Sequence, residues 1–210
     1  MKRRMLRGNA AHHAMRDASA QRGHATLTRM LTSRSVRYCK TCGGSVRYEV
    51  PADDNRERAV CSVCHAVHYE NPLNVVGTVP AWDDKVLLCR RNIEPRYGYW
   101  TLPAGFLELG ESTSEGAIRE TVEEAGARIE LLGLFTVLNV VRVGQLHLYY
   151  RARLLDTEFA PGTETIEARL FSQAEIPWEE LAFRTVRETL LRFFEDRSRG
   201  QFGIHCADIG

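Results

Sequence analysis

Residues 105–127 read GFLELGESTSEGAIRETVEEAGA. They set Gly105, Glu111, Arg119-Glu120, Glu123-Glu124 and Gly126 at the spacing G-x5-E-x7-R-E-x2-E-E-x-G. Ser112 followed by Glu115 is a capping box, so a helix is expected to begin near Thr113. Ile118, Thr121, Val122 and Ala125 recur at helical spacing, a mostly apolar face suited to packing on a sheet. Gly126 stands where the helix ends. Glu120, Glu123 and Glu124 share the opposite face, because residues three and four apart are neighbours on a helix. Three crowded carboxylates repel one another, and a hard cation with oxygen ligands, Mg²⁺ or Mn²⁺, relieves that repulsion. Arg119 lies four residues before Glu123 and four after Glu115, placed to hold a carboxylate by a two-pronged hydrogen bond. The loop 103–111 leads into the helix. Its Gly105 permits close backbone approach, and a phosphate can be met there by backbone N–H groups. An isolated E-x2-E-E is ordinarily a solvated helix face; the glycines and the preceding loop, all in register, make a metal site the better reading.

A second cluster reads Cys39-x2-Cys42-x18-Cys61-x2-Cys64, the spacing of a four-thiolate zinc ribbon. Four protein ligands leave no open position, so the expected Zn²⁺ is structural. A module of about 40 residues is too small for a self-sufficient core, and a metal substitutes for the missing burial. A disulfide framework is the competing reading, disfavoured because no secretory signal precedes the cysteines. His65 and His68 can replace a ligand, but four cysteines already complete the set. Cys89 sits in an apolar run and reads as a core residue.

The chain has 210 residues and a formal charge of +1. Residues 1–34 hold eight Lys/Arg and one acid, about +7, which leaves about −6 for the rest. That arm has little hydrophobic periodicity and reads as disordered. It is a misplaced start, an Arg-rich transit peptide or a basic nucleic-acid-binding arm; the first two are preferred, so the expected location is the cytoplasm, or an organelle if a transit peptide is present. No apolar run is long enough for a transmembrane helix.

Strands are expected at 46–50 and 59–60 in the ribbon, with Asn71-Pro72 at the junction. Residues 75–80 and 86–90 form a hairpin through Asp83-Asp84, and 129–141 with 146–155 form another around Gly144. A short strand follows at 168–171, then a helix at 184–195 with Val186, Leu190 and Phe194 on one face. The fold class is α+β, a sheet core flanked by helices. The organisation is a basic extension (1–34), a ribbon (35–71), the larger domain (72–200) and a tail (201–210).

The box, the ribbon, Trp100-Thr101-Leu102-Pro103-Ala104-Gly105, Phe159-Ala160-Pro161-Gly162 and Glu175-Ile176-Pro177 together resemble the zinc-ribbon Nudix hydrolases, over about four-fifths of the chain. Two departures stand out: Thr121, where the family usually has an aliphatic residue, and Ala104, where it often has glycine. The resemblance implies an α/β/α sandwich and metal-dependent hydrolysis of a nucleoside diphosphate linked to another moiety. It is similar to FAD/ADP-ribose pyrophosphatases, which release AMP. The alternative is NADH pyrophosphatase or NAD-cap removal from RNA; the S-Q-P-W-P-F-P-x-S run of that group is absent after Ala127. By the resemblance Glu120, Glu123 and Glu124 hold Mg²⁺ or Mn²⁺ with Arg119 beside them. A further glutamate precedes the strand at 168–171; Glu167 matches it and Glu164 is the nearby alternative, as metal ligand or general base. Arg90 or Arg91 is a candidate phosphate contact, against a surface ion pair. Tyr97, Tyr99 and Trp100 are candidate stacking rings, against a core role for Trp100. Homodimerisation is a family expectation. A non-catalytic nucleotide sensor or nucleic-acid-binding module is the rival from another class, disfavoured by the intact carboxylates; the partner expected is a small nucleotide, and nucleic acid is not.

Overall fold

The computed structural model describes residues 36–210; the expected disorder of 1–34 lies outside the described residues. The chain divides into two compact units at Glu70/Asn71. The first carries an antiparallel sheet of β1 (Val46–Glu49), β2 (Arg58–Cys61) and β3 (Val67–His68), in that order.

The second unit is built on β4 (Leu73–Trp82), β5 (Lys85–Arg91), β6 (Trp100–Thr101), β7 (Ala104–Phe106), α1 (Thr113–Ala125), β8 (Ile129–Val140), β9 (Gln145–Leu154), β10 (Thr165–Ser172), α2 (Arg184–Arg199) and β11 (His205–Asp208). The sheet order is β10-β5-β4-β9-β8-β11, with β6 on β5 and β7 on β4. β4 pairs with β9, and β8 with β11, in parallel. Residues 201–210 are therefore not a free tail: they supply an edge strand. The run His205-Cys206-Ala207-Asp208 is too short and too weakly alternating to announce a strand alone; it forms because β8 offers an unpaired edge.

β5 shows why the sheet is covered on both sides. Val86 and Leu88 enter a cluster with Trp100, Phe171, Val186, Leu190 and Phe193 under α2. Leu87 and Cys89 enter another with Ala125, Ala127 and Leu154 under α1. Successive side chains on a strand face opposite ways, so the apolar run 86–89 within β5 is buried on both faces. Cys89 is a core residue as expected.

α1 begins and ends as its sequence dictates. The Ser112 hydroxyl accepts the Glu115 N–H at 3.2 Å, the Glu115 carboxylate accepts the Ser112 N–H at 2.8 Å, and Gly126 takes a left-handed cap at φ 61°. The buried face differs from the expected one. Ile118 and Val122 are 39% and 49% exposed, while Gly116, Ala117, Thr121, Glu124 and Ala125 are buried. Small residues win the contact because the helix lies close on the sheet: a Cβ on Gly116 would stand 2.9 Å from Val76 Cγ2. Among the described residues no helix is long and apolar enough to cross a membrane.

Candidate functional site

Arg119 organises the acidic face of α1. Its Nε and Nη2 donate to the two oxygens of Glu111 at 3.0 and 2.8 Å, the two-pronged bond expected of it. The partner is Glu111 in the loop, not Glu115, which is committed to the helix cap. Nη1 donates to Glu120 at 2.7 Å and to Glu123 at 3.0 Å, and Nη2 also reaches the Phe106 carbonyl at 3.1 Å. One guanidinium thus fixes three carboxylates and the loop backbone. These bonds hold the Glu111 carboxyl at about 2, with a backbone bond from Glu108 adding to the effect. The sequence places Glu111 in the box without a role, because a bidentate partner for an arginine eight residues on becomes visible only once the loop closes on the helix.

Glu120 and Glu124 lie deeper. Burial raises both carboxyls. Glu124 is only 7% exposed, and its carboxyl is pushed up to about 8. The Ala104 N–H, donating to Glu124 Oε2 at 3.1 Å, works against that rise, and so does the charge of Arg91; the charges of Glu120 and Glu164 add to it. Gly105, expected to face a phosphate, has a nearer reason to be glycine: a Cβ there would stand 2.4 Å from the Glu120 carboxylate.

The remaining candidates separate. Glu167 pairs in register with Arg90 on the neighbouring strand, and Arg90 pairs with Trp100. Glu167 therefore shares the sheet face of Trp100, while the flanking Ala168 packs with the α1-side cluster. It is Glu164 whose charge is felt by both Glu120 and Glu124. Trp100 is 6% exposed and meets Phe171 edge-on at 4.8 Å between centroids, so it is core and presents no stacking face. Tyr97 is 56% exposed and remains open to a ligand. Arg90 and Arg91 each spend Nε on a loop carbonyl, Gly98 and Pro95, both at 2.9 Å. Of the two, Arg91 is the one whose charge reaches Glu124.

Both departures have local partners. Thr121 donates to the Ala117 carbonyl at 2.8 Å and meets the Thr78 hydroxyl at 2.7 Å, both buried. Ala104 faces Gly77: a Cβ on residue 77 would come 2.4 Å from that of Ala104, so the methyl group at 104 is accommodated by its absence at 77.

In the first unit the sulfurs of Cys39, Cys42, Cys61 and Cys64 all lie within 4.8 Å of one another, and all four are free thiols. The two knuckles repeat each other. Thr41 N–H points to Cys39 Sγ and Val63 N–H to Cys61 Sγ, both at 3.3 Å. Gly43 N–H bonds the Cys39 carbonyl and His65 N–H the Cys61 carbonyl. Gly43 and His65 take the same left-handed conformation, φ 75° and 59°. His65 is thus a turn residue rather than a ligand. Burial raises the Cys39 thiol, but bonds from the backbone of Cys42 and Thr41 outweigh it and bring it to about 5. Four converging sulfurs with N–H donors behind them fit a tetrahedral Zn²⁺.

The NUDIX domain profile matches residues 72–194, and the Nudix N-terminal zinc-ribbon profile matches 37–70. The chain belongs to the NUDIX family. It is similar to a NUDIX hydrolase from Nitrosomonas europaea of known crystal structure, 45% identical over 83% of this chain and 99% of that one, with a TM-score of 0.80. An ADP-ribose pyrophosphatase of Methanocaldococcus jannaschii is 32% identical over 119 residues, 55% of this chain and 69% of the relative. A NAD-capped RNA hydrolase NudC of Photorhabdus laumondii is 34% identical over 101 residues, 47% of this chain and 37% of the relative. The chain spans between 37% and 58% of the length of the NudC proteins it matches.

Among the described residues only the four cysteines bring three or more ligand atoms within 4.8 Å of one another. The carboxylates form an open set. That suits a family that uses divalent metal: a hard cation takes one or two carboxylates and fills its remaining positions with water and substrate phosphate.

Proposed function

We propose that this Nudix hydrolase cleaves the pyrophosphate of FAD or ADP-ribose, releasing AMP with FMN or ribose 5-phosphate. The observation that carries the reading is the open carboxylate set on α1, clasped by Arg119 and deepened by the burial of Glu124. Glu120 and Glu124 would hold Mg²⁺ or Mn²⁺, with Glu123 at the rim and Glu164 as the fourth carboxylate in place of Glu167. The bound cation supplies charge neutralisation of the diphosphate and lowers the pKa of the attacking water. The protein's own groups do the rest. Arg119 keeps Glu120 and Glu123 from rotating away. The Ala104 N–H orients Glu124, a base for the water proton. Arg91, anchored through Nε, keeps its outer N–H groups for a phosphate oxygen, and Tyr97 offers an exposed ring to the base or flavin. Water attacks phosphorus, the bridging P–O bond breaks, and the leaving phosphate carries away the electron pair.

Within this reading ADP-ribose draws support from the archaeal ADP-ribose pyrophosphatase, of which this chain covers more than two-thirds. The NudC relatives support the second reading, hydrolysis of NADH or of a NAD cap. The discriminating experiment is a kcat/KM panel with Mg²⁺ and then Mn²⁺ on FAD, ADP-ribose, NADH, NAD-capped RNA and nucleoside triphosphates. FAD or ADP-ribose leads if the first reading holds. A lead by NADH or the capped RNA replaces it with the second, and tight binding without turnover makes the protein a sensor.

A further inference from the structure

Glu164 sits in a turn held from three sides. Gly162 N–H donates to the Glu124 carbonyl at 3.1 Å, an approach that only glycine permits, since a Cβ there would stand 1.8 Å from the Glu123 carbonyl oxygen. Thr165 N–H closes the turn on the Gly162 carbonyl at 3.1 Å, and Thr165 then enters β10 opposite Arg91. The third hold comes from Asn92, 71 residues away in sequence from its partner Thr163. Its backbone N–H donates to the Glu164 carbonyl at 2.8 Å, and its Nδ2 donates to the Thr163 carbonyl at 3.0 Å. The side-chain atom facing Thr163 must be the amide nitrogen, because a carbonyl only accepts.

Asn92 directly follows Arg91 at the end of β5. Its two donors meet successive carbonyls of one turn, so the turn cannot pivot about a single bond. The side chain is exposed, so the bond adds little to global stability. Its consequence is local: it fixes where the turn stands relative to α1. We propose that Asn92 is a positioning residue, clamping the 163–164 backbone so that the Glu164 carboxylate faces Glu120 and Glu124 and completes the open acidic site for its divalent cation. The inference rests on the assignment of Glu164 as fourth carboxylate made above.

The test is a Mn²⁺ titration of the full chain, following loss of the free-ion EPR signal, for wild type, Asn92→Ala, Glu164→Gln and the double variant. Asn92→Ala is expected to weaken Mn²⁺ binding on the order of tenfold, the scale seen when an outer-shell partner of a metal ligand is removed, and Glu164→Gln, which removes the ligand itself, at least as much. The double variant should be no weaker than Glu164→Gln, because both changes remove one interaction. The thermal melt of Asn92→Ala should overlay that of wild type. Weakening in Glu164→Gln with none in Asn92→Ala overturns this inference alone, as does a double variant that loses the product of the two single effects. No weakening in either single variant overturns the fourth-carboxylate assignment as well.

Discussion

The chain concentrates like charge in two places and resolves the conflict in opposite ways. The thiols of the ribbon converge within 4.8 Å, each knuckle stabilised by its own neighbouring N–H groups. The carboxylates of α1 form an open set, Glu120 and Glu123 bridged by Nη1 of Arg119 and Glu124 held by the Ala104 N–H from a loop elsewhere in the chain. A closed shell leaves no place for a reactant and suits a structural metal; an open one leaves room for water and phosphate. The difference also separates what is local in sequence from what is not. Every ligand of the ribbon, and the hydrogen bonds behind it, lies within three residues of a C-x2-C pair.

The sharpest test of the open site is Glu124→Gln. The amide keeps the shape and can still accept from Ala104 N–H, but it loses charge and basicity. Turnover should fall by roughly 10³-fold, the scale of removing a general base, with circular dichroism unchanged. Retained turnover would mean that the buried carboxylate is a packing residue and that the two clusters do not divide as structure and catalysis.

The closed site should respond in the opposite currency. Cys61→Ser removes one of four ligands from a cluster whose metal replaces a core, where structural zinc contributes on the order of 10 kcal/mol. Amide exchange in β1–β3 should lose its protection, and zinc content should fall. Survival of that protection would show that the small sheet holds without its metal.

The pH behaviour tests the burial of Glu124. Its carboxyl stands at about 8 in the folded, metal-free protein against an ordinary 4.5, so the folded state favours the protonated form. That contribution is complete below pH 4.5 and is lost as pH rises through about 8. Without added Mg²⁺ or Mn²⁺, the melting temperature should therefore fall across this window. Mg²⁺ or Mn²⁺ should recover it at the upper end, and Glu124→Gln should flatten the dependence. A profile indifferent to both the cation and the mutation would remove Glu124 from the metal site.

These contrasts explain what the sequence disclosed. The α1 caps, both hairpins and the cysteine quartet follow from spacing alone. The helix face was half legible: Ala125 and Thr121 are buried, but Ile118 and Val122 are not, because close approach to Val76 selects small residues over apolar ones. The sequence ranks Glu167 above Glu164 because the bulge between Thr165 and Glu167, which breaks the alternation that assigns residues to faces, is invisible in it. Strand β11 was missed because its reason for existing is the edge of β8.

Thr121 is the mildest case and the most instructive. Read along α1, a hydroxyl at a buried position looks like a defect; its partner, Thr78, lies 43 residues away on β4. Thr121→Val removes the donor to Ala117 and leaves the Thr78 hydroxyl buried without a partner, a cost of about 1–3 kcal/mol. Thr78→Val leaves Thr121 its bond to the Ala117 carbonyl and should cost less. The double valine variant removes both hydroxyls and should recover most of the loss, so the cycle yields a coupling energy of about 1 kcal/mol in favour of the pair. Urea melts of the four proteins measure it. Simple additivity would mean that the two hydroxyls merely tolerate each other, and that the aliphatic residue usual at this position would serve this chain equally well.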